Sequence, residues 1–131
     1  LIRDLNTIKY STNPYNINRM TMAAGIGALE DEEYFQKNCK TITENRAWTA
    51  ARLTELGFEM TDSKTNFLFA THPAIPGKAL YTALRENGIL VRHFDTPRLT
   101  NFIRVTVGSH EQMEAFVNAV EAIISTRRNL P

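Results

Sequence analysis

At 131 residues, with 43% hydrophobic and 22% charged side chains, the chain has the make-up of one ordinary globular domain with its own core and is too short for two. A formal charge of +1 gives no electrostatic ground for nucleic acid or an acidic membrane as a partner. The single cysteine, Cys39, excludes an intrachain disulfide; His72, His93 and His110 fall at no metal-ligand spacing, and no apolar run of about 18 residues is present to span a membrane, a combination that fits a cytoplasmic protein without a metal.

In chain order, the opening is apolar at Leu1, Ile2, Leu5 and Ile8 and passes into a turn-rich stretch, Tyr10-Ser-Thr-Asn-Pro-Tyr-Asn-Ile-Asn18, that breaks regular structure. The chain opens at Leu1 without a methionine, as a processed or excised piece would. From about Asn16 a helix is predicted through Ile17, Met20, Ala24 and Leu29, rich in small residues and apolar enough to be sticky if left uncovered. A long helix follows from about Asp31 to Leu56, with Phe35, Cys39, Ile42, Arg46, Thr49, Leu53 and Leu56 at three- and four-residue steps and Gly57 as its cap. Trp48 on its flank is expected to pack rather than to stack on a ligand.

Phe58–Thr61 and Asn66–Ala70 read as strands joined by the turn Asp62-Ser-Lys-Thr65. Lys78–Asn87 reads as a short helix with Leu80, Ala83 and Leu84 inward and Gly88 as cap. Two strand-like runs, Ile89–Phe94 and Phe102–Val107, come next, and the capping box Ser109-x-x-Gln112 opens an amphipathic helix through Met113, Phe116, Val117, Val120, Ile123 and Ile124. The terminal Arg127-Arg128 pair reads as a solvated tail. The predicted class is α+β: a small mixed or antiparallel sheet with helices packed on one face.

The two late strands each place one arginine inside apolar, β-branched sequence, which is rare without a carboxylate or other anion nearby. Side chains alternate along a strand. Ile103, Val105 and Val107 therefore share one face while Phe102, Arg104 and Thr106 share the other; in the earlier run Ile89, Val91 and His93 oppose Leu90, Arg92 and Phe94. If the β-branched sets face the core, both arginines leave the opposite face of one sheet, together with Asn66, and their repulsion calls for an anion or an acidic side chain between them. Pairing of each with its own surface carboxylate is the competing explanation.

Four segments, in order, carry a resemblance: Asn13-Pro-Tyr-Asn-Ile-Asn-Arg19, the alanine-rich helix into Leu29-Glu-Asp-Glu-Glu-Tyr34, Lys64-Thr-Asn-Phe-Leu-Phe69, and Gly88-Ile-Leu-Val-Arg92 with Ile103-Arg104-Val-Thr-Val-Gly108. Together they resemble the C-terminal part of fold-type I pyridoxal-phosphate aminotransferases, within them most the histidinol-phosphate branch. The resemblance implies a linker from a large domain over residues 1–15 and an aminotransferase small domain over 16–131. It implies that Arg104 grips a substrate acid group, an α-carboxylate or the phosphate of histidinol phosphate, that Arg92 helps hold the same anion, and that Asn66 is a further contact. Tyr15 and Asn16 would lie at the rim of the active site. Pyridoxal 5'-phosphate would be the cofactor, 2-oxoglutarate the usual amino acceptor, and a homodimer the assembly. The family's Schiff-base lysine has no counterpart here: none of Lys9, Lys37, Lys40, Lys64 and Lys78 lies in its motif, so no catalytic residue is assigned and the chain alone is expected to be inactive. Threonine-phosphate decarboxylases and aromatic aminotransferases share the layout, and a stand-alone anion-sensing domain is the non-enzyme alternative.

Overall fold

The computed structural model describes residues 1–12 and 15–128, with side chains through Arg127. Among these residues the elements run α1 (Ile2–Thr12), α2 (Arg19–Glu30), α3 (Glu32–Glu55), β1 (Glu59–Met60), β2 (Phe67–Thr71), α4 (Gly77–Glu86), β3 (Arg92–His93), β4 (Phe102–Thr106) and α5 (His110–Arg128). Two compact units divide within α3, one over Leu1–Lys37 and one over Asn38–Pro131. No helix of the described residues is long and apolar enough to cross a membrane.

In the N-terminal unit, α1 carries helix through Tyr10, Ser11 and Thr12, in place of the expected turn. Serine, threonine and tyrosine cost a helix only a few tenths of a kcal/mol each relative to better formers, too little to end one already begun. The expected break at Asn13-Pro14 lies outside the described residues. The next helix begins at Arg19 rather than near Asn16, because the side chain of Asn18 accepts the Thr21 backbone N–H at 2.9 Å and so acts as its N-cap. As the small-residue pattern implies, its apolar side chains are uncovered, with Met20 79% and Leu29 80% exposed.

The C-terminal unit is built on an antiparallel sheet of order β1-β2-β4-β3. Its register pairs Leu68 with Val105 and Ala70 with Ile103, so one face presents Leu68, Ala70, Ile103 and Val105, all buried. Against this face pack Leu53 of α3, Leu80 and Leu84 of α4, and Met113, Phe116, Val117, Val120 and Ile124 of α5. The helices thus cover one side of the sheet, in the predicted layering.

The long helix comes close to its predicted span, with Asp31 accepting the Tyr34 N–H and capping it at 3.1 Å. Its inward set differs from the predicted one: Asn45 is buried, with Nδ2 donating to the Gly108 carbonyl at 2.9 Å, while Phe35 and Cys39 belong to the N-terminal unit and the exposed flank. At the helix end Gly57 has φ +88°, and Phe58 N–H reaches back to Leu53 O at 3.0 Å. Gly88 repeats the arrangement at φ +76°, with Ile89 N–H donating to Leu84 O at 2.9 Å. Both are left-handed helix terminations, which glycine adopts without steric cost. This second cap explains why β3 is only Arg92–His93 rather than the predicted Ile89–Phe94: Ile89 is still satisfying the end of α4, so pairing starts later. Ser109 and Gln112 form the reciprocal capping box of α5 as expected, Ser109 N–H donating to Gln112 Oε1 at 3.0 Å.

Candidate anion-binding site

The register settles where the two arginines stand. Arg92 is the direct cross-strand partner of Arg104, and Phe69 is the partner of Arg104 on the other side. Directly opposed residues of antiparallel strands share a face, so both guanidiniums leave the side of the sheet away from the helices. The alternation read from the sequence is therefore correct for both strands. Ile89 and Val91 pack partly buried against the core, as their parity requires.

The environment of the pair is aromatic rather than acidic. Arg104 Cζ lies 4.3 Å from the centroid of the Phe67 ring and 5.7 Å from that of Phe94, and Arg92 Cζ lies 5.4 Å from the same Phe94 ring. Phe69 stacks on Phe102 with centroids 4.5 Å apart and rings 6° from parallel, and meets Phe94 edge-on at 6.4 Å. Among the described residues the ion pairs involve neither arginine, so the surface-carboxylate explanation does not hold. Arg104 Nε is buried without a hydrogen-bond partner. An unsatisfied donor on a permanent cation is costly to bury and is relieved by an anionic oxygen. The phenylalanines favour the cations through their negative ring faces but offer no lone pair, so they leave the Arg104 Nε donor unsatisfied.

Asn66 stands differently from the expectation. It occupies a bend just before β2, exposed, and its carbonyl accepts the Val107 N–H at 2.9 Å. By register the β2 residues on the arginine face are Phe67 and Phe69, and alternation puts Asn66 out of phase with them. Tyr15 and Asn16 are exposed residues of the N-terminal unit. Sequence reasoning missed the part played by the phenylalanines. Phe94 and Phe102, two positions from their arginines, were legible by alternation; Phe67 and Phe69 required the β2 register, which no short-range signal supplies.

Residues 5–120 match the family model for aminotransferase class I and II, and the chain belongs to that family. It is 44% identical over 124 residues to the histidinol-phosphate aminotransferase of Brachyspira hyodysenteriae, covering 95% of this chain and 35% of that protein. It is 42% identical over 123 residues to that of Chromohalobacter salexigens, covering 94% and 35%. The chain thus spans 35% of the length of these relatives. In fold it is similar to the histidinol-phosphate aminotransferase of Clostridium acetobutylicum, with TM-score 0.76 and 24% identity over 91% of this chain and 37% of that one. The enzyme from Sinorhizobium meliloti, in complex with pyridoxal-5'-phosphate, gives TM-score 0.75 and 23% identity over 87% and 32%.

The family depends on pyridoxal phosphate. That cofactor needs an enclosed amine to hold it covalently. All five lysines of this chain are exposed, and Lys40 and Lys64 face the carboxylates of Glu44 and Asp62 at 3.8 and 3.1 Å. The described lysines therefore do not fit the role of cofactor anchor. What the chain offers is a pair of cations on a rigid sheet.

Proposed function

We propose that this chain is the small domain of a histidinol-phosphate aminotransferase, the enzyme that converts histidinol phosphate and 2-oxoglutarate to imidazole acetol phosphate and glutamate. The observation that carries the reading is the 44% identity to a curated histidinol-phosphate aminotransferase across 124 residues. Residues 1–15 act as the linker to a large domain and 16–131 as the small domain, in a cytoplasmic homodimer. The uncovered apolar side chains of α1 and α2 favour burial against such neighbouring surfaces.

In this reading Arg104 and Arg92 hold the substrate anion. Histidinol phosphate has no carboxylate, and its phosphate carries close to two negative charges at neutral pH. Two guanidiniums on adjacent strands match that charge, and each can donate two parallel hydrogen bonds to phosphate oxygens. The orphan Nε of Arg104 supplies one of these donors. When glutamate occupies the site, a carboxylate takes the same place. Asn66, in the bend before β2 and out of phase with the arginine face, has no contact with the anion in this reading. Beside the aromatic pair lies a groove of about 790 Å³ lined by Phe69, Phe102, Thr96, Pro97, Arg98 and Leu99, which leaves room for the organic part of a ligand.

The chemical contribution of these residues is binding and orientation. An anion gripped several bonds from the reacting carbon restricts how the amine can approach, and the binding energy so gained lowers the barrier where alignment is needed. Carriage of the clamp on a small domain allows substrate binding to close the cleft and exclude water. The experiment is a steady-state assay of the whole enzyme containing this chain, with histidinol phosphate and 2-oxoglutarate. Formation of glutamate from histidinol phosphate faster than from phenylalanine, with no CO2 released from threonine phosphate, is the expected result; faster glutamate formation from phenylalanine, or CO2 release from threonine phosphate, would overturn the assignment.

A further inference from the structure

We propose that Phe94 is a positioning residue for the arginine pair: its single ring is shared by both guanidiniums and holds them together, in register, before the anion arrives.

Two like charges on directly opposed residues of neighbouring strands repel, and with no carboxylate partner among the described residues each long side chain would be expected to swing apart into solvent. Instead both converge on one ring. Phe94 lies 5.4 Å from Arg92 Cζ and 5.7 Å from Arg104 Cζ, within the range in which a guanidinium is attracted to an aromatic face. Its position follows from the chain: two residues beyond Arg92, it leaves the sheet on the same side, and the edge-on contact with Phe69 at 6.4 Å braces it against β2. Phe67 differs. It contacts Arg104 alone, at 4.3 Å, and so orders one cation but not the pair.

The consequence for binding is preorganisation. Part of the cost of bringing two cations together, and of freezing their side chains, is met in the free protein, so an anion that needs both meets a smaller entropic and electrostatic penalty. A leucine or methionine at 94 preserves apolar volume but removes the ring face, whereas tyrosine preserves it. The inference rests on the reading of Arg92 and Arg104 as the substrate clamp.

The test compares Phe94→Leu, Phe94→Met and Phe94→Tyr with Arg104→Ala in the whole holoenzyme, measuring KM and kcat for histidinol phosphate and competitive inhibition by inorganic phosphate. We expect Phe94→Leu and Phe94→Met to raise KM and the phosphate inhibition constant by about fivefold, with kcat within about twofold, on the scale of cation–π attraction in a partly desolvated site. Phe94→Tyr restores wild-type values. Should Phe94→Leu misfold, as thermal melting would reveal, the Met and Tyr variants carry the comparison. Equal KM for the Leu, Met and Tyr variants while Arg104→Ala raises it overturns the inference alone. Unchanged KM in Arg104→Ala overturns the clamp itself, and the inference with it.

Discussion

Along β4, Ile103 and Val105 keep 0% and 3% of their surface, while Arg104 between them remains partly open, sandwiched by rings and lacking an acidic partner. The two faces share one backbone and one hydrogen-bond ladder, yet they obey different constraints. On the helix-covered face the criterion is volume, since close-packed interiors feel the loss of even a methylene. On the other face the arginines add charge and direction to a layer of half-buried phenylalanine rings. Such a division lets a rigid, well-packed layer present a ligand-binding surface whose precision comes from the opposite side.

The sharpest way to break this comparison is to alter neighbouring residues of β4 that face opposite ways. Ile103→Ala is expected to destabilise the protein by about 2–5 kcal/mol in denaturant unfolding, the usual range for truncating a fully buried aliphatic side chain. Arg104→Ala should do the reverse, leaving the unfolding midpoint little changed while lowering kcat/KM of the whole enzyme at least tenfold, equivalent to about 1.4 kcal/mol of transition-state stabilisation, with the cofactor absorbance retained. If Arg104→Ala unfolds the protein, the arginine face is structural and the division between the faces is lost.

Two smaller effects sharpen it. Gly88 has φ +76° and open space where the methyl group of an alanine would stand, so Gly88→Ala should cost about 1–2 kcal/mol purely through backbone conformation, read by thermal melting, with KM unaffected. At the start of α5 the Ser109 hydroxyl donates to Glu111 at 2.7 Å and, with the Glu111 backbone N–H and nearby His110, holds its carboxyl below the usual carboxylate range. A lowered folded-state pKa contributes stability above the unfolded-state value, and the contribution is lost as pH falls through the folded value. Glu111 is fully exposed, so the expected outcome is a slight acid-side loss of melting temperature in wild type that Glu111→Gln lacks.

Much of this architecture could be read from the letters where local rules govern. Gly57, Gly88 and the Ser109-Gln112 pair announced helix ends, and two-residue alternation put Arg92 and Arg104 on one side of the sheet before any register was known. What escaped depended on contacts distant in sequence. The burial of Asn45 is decided by Gly108, 63 residues away, and the aromatic partners of Arg104 are decided by how β2 aligns with β4. The shortness of β3 escaped because the helix cap at Gly88 competes for Ile89, and two reasonable local patterns cannot both be satisfied by one backbone N–H. The expectation for Asn66 extends a strand one residue too far; a single step along a pleat reverses the face.

The most direct test of the central claim is a double-mutant cycle on kcat/KM for histidinol phosphate, using Arg92→Ala, Arg104→Ala and the double variant in the whole enzyme. Two cations gripping one anion predict that the double loss is smaller than the product of the single losses by at least about threefold, a coupling of about 0.65 kcal/mol or more. Strictly multiplicative losses would contradict the shared site.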